Sequence, residues 1–244
     1  MFFNFKPKPI LSELLPHQYI DIHSHILPGL DDGSKSITDS KILLEAVLKM
    51  GFKKLITTPH TMTAIWNNSP ETINSACKTL CTALPKLAQA LNIQAASEYL
   101  IDNHFIKLIK EQKLLTLKDT YVLVELSYLN PPFGLHEALF ELQTAGYTPV
   151  LAHPERYRFY HNNFNQYHDL KKAGCLFQLN LLSTVGYYGK SVAQCANKLL
   201  KEGLIDFTGS DIHHKKHIDA FQKPLIISEI KALENAMKNN RVFG

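Results

Sequence analysis

Thiols are scarce in this chain, and none stands in a working arrangement. The four cysteines, Cys77, Cys81, Cys175 and Cys195, form no Cys-x-x-Cys pair, which excludes zinc-ribbon and thioredoxin-type chemistry on spacing. None has an arginine six residues later, those positions being Ala83, Leu87, Leu181 and Lys201. A Cys-x5-Arg phosphatase loop is therefore absent. Cys77 and Cys81 stand four apart in an expected helix and read as buried thiols. Long apolar runs are missing too, and residues 1–17 hold several prolines but no continuous apolar core. Neither a signal peptide nor membrane insertion is expected, so the chain reads as soluble and cytoplasmic. Charge of one sign is not in excess: the net value is +4 with scattered lysines, which gives no nucleic-acid footprint. With no Ser/Gly linker and no low-complexity stretch, nothing divides the 244 residues, a length ordinary for a single α/β barrel.

Histidine, by contrast, is abundant, with 12 in the chain. The densest segment is DIHSHILPGLDDG at 21–33. On a strand, His23 and His25 at i and i+2 point to one side, and Asp31 and Asp32 follow in a loop able to fold back. Such a set suits a divalent ion, Zn²⁺, Mn²⁺ or Fe²⁺. β-branched runs predict strands at 18–23, 53–58, 93–98, 121–126, 148–153, 175–180 and 204–210. Helical patterns fall near 38–50, 71–91, 101–111, 134–146, 165–173, 190–202 and 218–239. In the first helix, Ser36 or Thr38 can cap, Ile42, Leu43, Ala46, Val47 and Met50 give the apolar stripe, and Gly51 provides the stop. Seven β-then-α units argue for one parallel barrel, although the strand count alone does not exclude an open sheet.

Ligand-type residues recur where these strands end: His23, His25 and Asp32 after the first, His60 in TTPH, Glu98 in ASEY, Glu125 in VLVEL, His153 in LAHPER, and Asp211 with His213 in GSDIH. In a parallel barrel all such ends surround one mouth. Carboxylates at Glu98 and Glu125, inside apolar strands, are costly unless paired or metal-bound. The remaining histidines, His17, His104, His136, His161, His168, His214 and His217, lack this placement and read mostly as ordinary surface or loop residues.

The order DIHSH, DDG, TPH, SEY, VELS, HPER and SDIH resembles the PHP (polymerase and histidinol phosphatase) superfamily. Within it, HxHxxPGxDDG with HPER is most similar to the CpsB/CapC-type manganese-dependent protein-tyrosine phosphatases of bacterial capsule and exopolysaccharide systems. The likeness runs from about Tyr19 to about Ile218, leaving residues 1–18 as an N-terminal extension before a PHP domain at 19–244. It implies a distorted (β/α)7 TIM-like barrel, three divalent ions (Mn²⁺, with Fe²⁺ or Zn²⁺ also suited), and a phosphotyrosyl protein substrate, the tail of a bacterial tyrosine kinase. By the same resemblance His23, His25, Glu98 and Asp211 hold one metal. Glu98 bridges to a second with Glu125 and His153, while Asp32, His60 and His213 hold the third. Arg156 matches the arginine that grips the phosphate, and QLNLLSTVGYYG at 178–189 matches an Asn-x-x-Ser-x-x-Gly stretch. One departure follows the last metal motif. Where the family carries a further arginine, this chain reads HKKHIDA.

Charge favours that expectation. Four carboxylates and five neutral histidines against three divalent ions leave +2, a centre that attracts a phosphate dianion beside Arg156. Water activated as hydroxide by the metals then attacks phosphorus in line, without a phosphoenzyme. A tyrosyl leaving group, of side-chain pKa about 10, has little need of a general acid. Asp31 is a candidate for that task and equally for a supporting place in the loop. The competing readings are a small-molecule phosphatase such as one for histidinol phosphate, a non-catalytic metal-binding module, and a metal-dependent amidohydrolase.

Overall fold

Residues 8–244 are described in the computed structural model. Strands and helices alternate in the order β1 (Tyr19–Asp21), α1 (Ile37–Lys49), β2 (Phe52–Thr57), β3 (His60–Thr61), α2 (Pro70–Ala83), α3 (Pro85–Ala90), β4 (Ile93–Ala95), β5 (Glu98–Leu100), α4 (Asn103–Lys110), β6 (Tyr121–Glu125), α5 (Leu135–Thr144), β7 (Thr148–Ala152), α6 (Asn165–Lys172), β8 (Leu176–Asn180), α7 (Lys190–Lys201), β9 (Phe207–Gly209), α8 (Lys215–Ala220) and α9 (Ile230–Asn239). All the strand pairings are parallel, in two sheets ordered β1-β2-β4 and β3-β5-β6-β7-β8-β9. Because β2 runs on into β3 and β4 into β5, these segments make seven staves. The first stave meets the last beyond their named strands. Ser24 bridges Ile212, His25 N donates to Ile212 O at 2.9 Å, and Asp211 N donates to His23 O at 2.8 Å. The array thus returns on itself as a distorted seven-stave barrel, a single domain.

Three expected elements are divided. Proline explains the helix breaks: the helix expected at 71–91 stops before Pro85, which starts a new one, since a mid-helix proline removes a donor and clashes with the preceding turn. The helix expected at 218–239 becomes α8 and α9 around a segment containing Pro224. The strand expected at 93–98 splits into β4 and β5. Pro59 interrupts the neighbouring stave at the same level, leaving its carbonyl to accept from Glu98 N at 3.2 Å and Ser97 Oγ at 3.0 Å. Within α1, Ser36 is the cap and accepts from Asp39 N. The buried stripe there is Ser40, Leu43, Leu44 and Val47, while Ile42 is 48% exposed. The helix is rotated from its expected face because Leu44, not Ile42, completes the i, i+3, i+4, i+7 set.

Phe2, Phe3 and Phe5 of the expected extension lie outside the described residues. From residue 8 onward the extension packs on the barrel: Leu11 is buried, its N–H donates to Lys223 O, and Leu225 N donates to Pro9 O. At the end of the barrel away from the ligand-bearing strand ends, Phe243 is buried against Tyr121 and Phe207.

Candidate metal centre

Strand ends gather Glu98 and the eight other expected ligands into overlapping groups. This carboxylate is fully buried at the start of β5. Its Oε2 lies 3.0 Å from His60 Nδ1, 3.2 Å from His23 Nε2 and 3.4 Å from His25 Nε2. Oε1 lies 3.1 Å from His153 Nε2. Asp211 Oδ1 completes one group, 3.4 Å from both His23 Nε2 and His25 Nε2. Glu125 joins His60 and Glu98, with Oε1 2.7 Å from His60 Nδ1. At the rim, exposed Asp32 lies 3.3 Å from His213 Nε2 and 3.7 Å from His60 Nε2, making a group that includes His25. Thus Glu125 and His153 each adjoin Glu98 with a different histidine, and His60 offers one nitrogen to Glu98 and Glu125 and the other to Asp32.

Two of these residues sit on unusual backbone. His153 has φ +35° and Asp211 has φ +50°, left-handed values that non-glycine side chains seldom adopt and that gather at functional sites.

The residues aiming the ligands were not all visible in the sequence. Asp31 Oδ2 lies 2.7 Å from His25 Nδ1 and also accepts from His60 N, while Oδ1 accepts from Gly33 N. Both oxygens are committed. Burial opposes its ionisation, but His25 and His60 hold its carboxyl well below the usual range. Asp31 is a positioning residue, poorly suited to give up a proton. Gln178 Oε1 lies 2.7 Å from His23 Nδ1, which turns Nε2 toward Glu98 and Asp211. Asn180 Nδ2 donates to Asp211 Oδ2 at 2.7 Å, and Ser183 Oγ donates to Glu155 Oε1 at 2.6 Å. The stretch at 178–189 therefore braces the centre from the sixth stave, the one without a ligand.

The cluster's electrostatics are those of closely paired imidazoles and carboxylates. Burial disfavours charged imidazoles, yet Asp31 and its neighbours draw His25 well above its ordinary value, and Glu125 and Glu98 do the same for His60. Burial likewise opposes ionised Glu98 and Asp211, but the surrounding histidines hold both well below the carboxylate range. His153 moves the other way, pushed down to about 4 by burial and by Arg156. Although three imidazole nitrogens surround it, Glu98 Oε2 makes no hydrogen bond, and buried His153 Nδ1 has no partner either. A buried carboxylate oxygen left this way among nitrogen donors fits divalent cations.

Above the ligands opens a cavity of 420 Å³, lined among others by Met62, Ile65, Trp66, Tyr128, Arg156 and Tyr188. Arg156 is sandwiched by Tyr128 and Tyr188, its guanidinium carbon 4.8 Å and 4.2 Å from their ring centres. Its Nη1 donates to Asp211 Oδ2 at 2.8 Å. Of HKKHIDA, His214 and His217 both line the cavity, His214 exposed and His217 buried, so His217 is not an ordinary surface histidine. Lys215 turns instead to Asp219.

A family model for capsular polysaccharide synthesis, CpsB/CapC, matches residues 19–240. The chain belongs to the CpsB/CapC family. It is 33% identical over 198 residues to the tyrosine-protein phosphatase YwqE of Bacillus subtilis (strain 168), covering 81% of this chain and 78% of that protein. With the putative tyrosine-protein phosphatase CapC of Staphylococcus aureus it shares 28% over 229 residues, or 91% and 90% of the two chains. A crystal structure from work on YwqE and Streptococcus pneumoniae CpsB, described as unique metal-dependent tyrosine phosphatases, superposes with a TM-score of 0.77 at 31% identity. It covers 88% of this chain and 86% of that one. The Lactococcus lactis histidinol phosphate phosphatase shares the fold, with a TM-score of 0.53 at 15% identity over 91% of this chain and 94% of that one. No helix among the described residues is long and apolar enough to cross a membrane.

Proposed function

We propose that this chain is a metal-dependent protein-tyrosine phosphatase of capsule or exopolysaccharide systems. It acts in the cytoplasm on a bacterial tyrosine kinase through three divalent ions, Mn²⁺ foremost. The observation carrying this reading is the clustering of Glu98 with eight other ligand-type side chains in overlapping groups at the strand ends, with Arg156 lining the same cavity. His23, His25, Asp32, His60, Glu98, Glu125, His153, Asp211 and His213 would hold the ions. When bound, these supply Lewis-acid neutralisation of phosphoryl charge and lower the pKa of water toward about 7.

The chain's own residues do the rest. Arg156 meets the phosphoryl oxygens with the guanidinium donors not used by Asp211. Tyr128 and Tyr188 keep its plane fixed, so little order is lost when phosphate arrives. Asp31, Gln178 and Asn180 hold His25, His23 and Asp211 in orientation. The phenolate leaving group needs no acid from the chain, which fits the commitment of both Asp31 oxygens.

Phosphate release by Mn²⁺-loaded protein tests the reading on a phosphotyrosyl peptide, a phosphoseryl peptide and histidinol phosphate. Preference for phosphotyrosine, abolished by chelation, is expected. Preference for histidinol phosphate would move the protein to small-molecule metabolism, and no release from any would leave a metal-binding module.

A further inference from the structure

The chain contains a single tryptophan, and it lines the cavity over the metal centre. Trp66 lies over His60 with ring centres 4.8 Å apart and planes 14° from parallel. Tyr128, which lines the same cavity, lies over His153 at 5.8 Å and 23°. Two aromatic rings thus cover two different ligand histidines and wall one opening, with Met62 and Ile65 beside Trp66. Ile65 is 63% and Tyr128 46% exposed, so apolar surface is available there.

The segment bearing Trp66 is held firmly. Met62 and Trp66 exchange both backbone hydrogen bonds at 3.0 Å across a tight turn, in which Ala64 takes φ +65°. Asn67 Oδ1 accepts from Ala64 N. Asn68 Nδ2 donates to Leu30 O and His60 O, tying the turn to the loop after β1 and to the start of β3.

Resting on the phosphatase reading above, we infer that Trp66, opposed by Tyr128, is the specificity wall that receives the aromatic ring of phosphotyrosine while the phosphoryl group sits over the metal centre beside Arg156. A flat aryl group entering the cavity that both rings line gains offset or edge contacts with them. A phosphoserine side chain reaches the centre but leaves those walls wet. Ring binding is shared by ground and transition states, so it sets KM more than kcat.

Kinetics of the Mn²⁺-loaded protein on matched phosphotyrosyl and phosphoseryl peptides tests this. Trp66→Ala is expected to lower the phosphotyrosine-to-phosphoserine ratio of kcat/KM at least tenfold, through KM, with Trp66→Phe restoring most of it. Loss of metal or of folded protein scales both substrates alike, so the ratio isolates ring recognition from a purely structural role over His60. An unchanged ratio overturns the inference and leaves the phosphatase reading intact. Absence of any phosphotyrosine hydrolysis by the wild type sinks that reading and takes the inference with it.

Fluorescence gives a second readout, because all indole emission comes from Trp66. A peptide bearing difluorophosphonomethyl-phenylalanine, which cannot be hydrolysed, should shift that emission, and methylphosphonate should not. Equal responses to both, or none to the peptide at concentrations that inhibit turnover, would overturn the assignment.

Discussion

Arg156 is pinned between two tyrosines and bonded to Asp211, so the proposed phosphate and metal sites share one side chain as neighbour. Arg156→Ala is expected to lower kcat/KM by on the order of 10²–10³-fold, the usual cost of one well-placed charged donor. Metal per chain, measured by elemental analysis, should stay the same. Loss of metal in that variant would reassign Arg156 as a prop for Asp211. Asp31→Ala tests the opposite kind of residue. It leaves every ligand in place but frees His25 Nδ1, and chelator competition should show metal affinity falling roughly ten- to hundredfold. That the nine candidate side chains would meet was legible because a histidine or carboxylate at the end of an apolar strand has a fixed address in a parallel barrel. Gln178 and Asn180 stood out only through the family likeness of the 178–189 stretch, which gave them no task, and Trp66 had no signal. Their roles depend on which side chain from another stave arrives opposite them, and no local spacing encodes that.

Among the elements, α1 buries Leu44 completely against the barrel. Leu44→Ala should cost about 2–5 kcal/mol in chemical denaturation, the range for a large-to-small change in a packed core. Strand β1 carries a less obvious cost in Asp21, which is fully buried and pushed up to about 6 by burial, despite accepting from Ser210 N and Oγ. Its folded pKa exceeds the unfolded value of 3.8, so the folded state holds the proton more tightly. The stability from that proton is complete below pH 3.8 and lost as pH rises through about 6, up to roughly 3 kcal/mol. In metal-free protein, Asp21→Asn should therefore gain on the wild type between pH 4 and pH 7, and a pH-independent difference would refute the assignment. Strand and helix order could be read from periodicity, but three internal breaks could not. Pro85 was plain in the sequence, yet the apolar pattern continued across it. At Pro59 the break passed to the neighbouring stave, which only the fold brings near.

At the scale of the molecule, the proposed ligands come from the whole length of the chain and must be brought together before any ion is well held. Saturating Mn²⁺ should raise the melting temperature and chelation lower it. At a thousand times the dissociation constant the linkage amounts to about 4 kcal/mol. The seam between the first and last staves gives this a kinetic side. His23 and His25 on one edge, and Asp211 and His213 on the other, stand almost two hundred residues apart, and the bonds joining those edges include the backbone donors of His25 and Asp211 themselves, beside those from Ser210 to Asp21. Contacts of such long sequence separation form late, since loop-closure entropy is spent before they give anything back. We predict that the centre is assembled as this seam closes and that a bound divalent ion stabilises the closed ring. Hydrogen exchange at the amides of His25 and Asp211 should speed up on chelation while β6 and β7 stay protected. The barrel would open along one line, like a hoop at its clasp, and the pool of free metal would set how long each molecule stays shut.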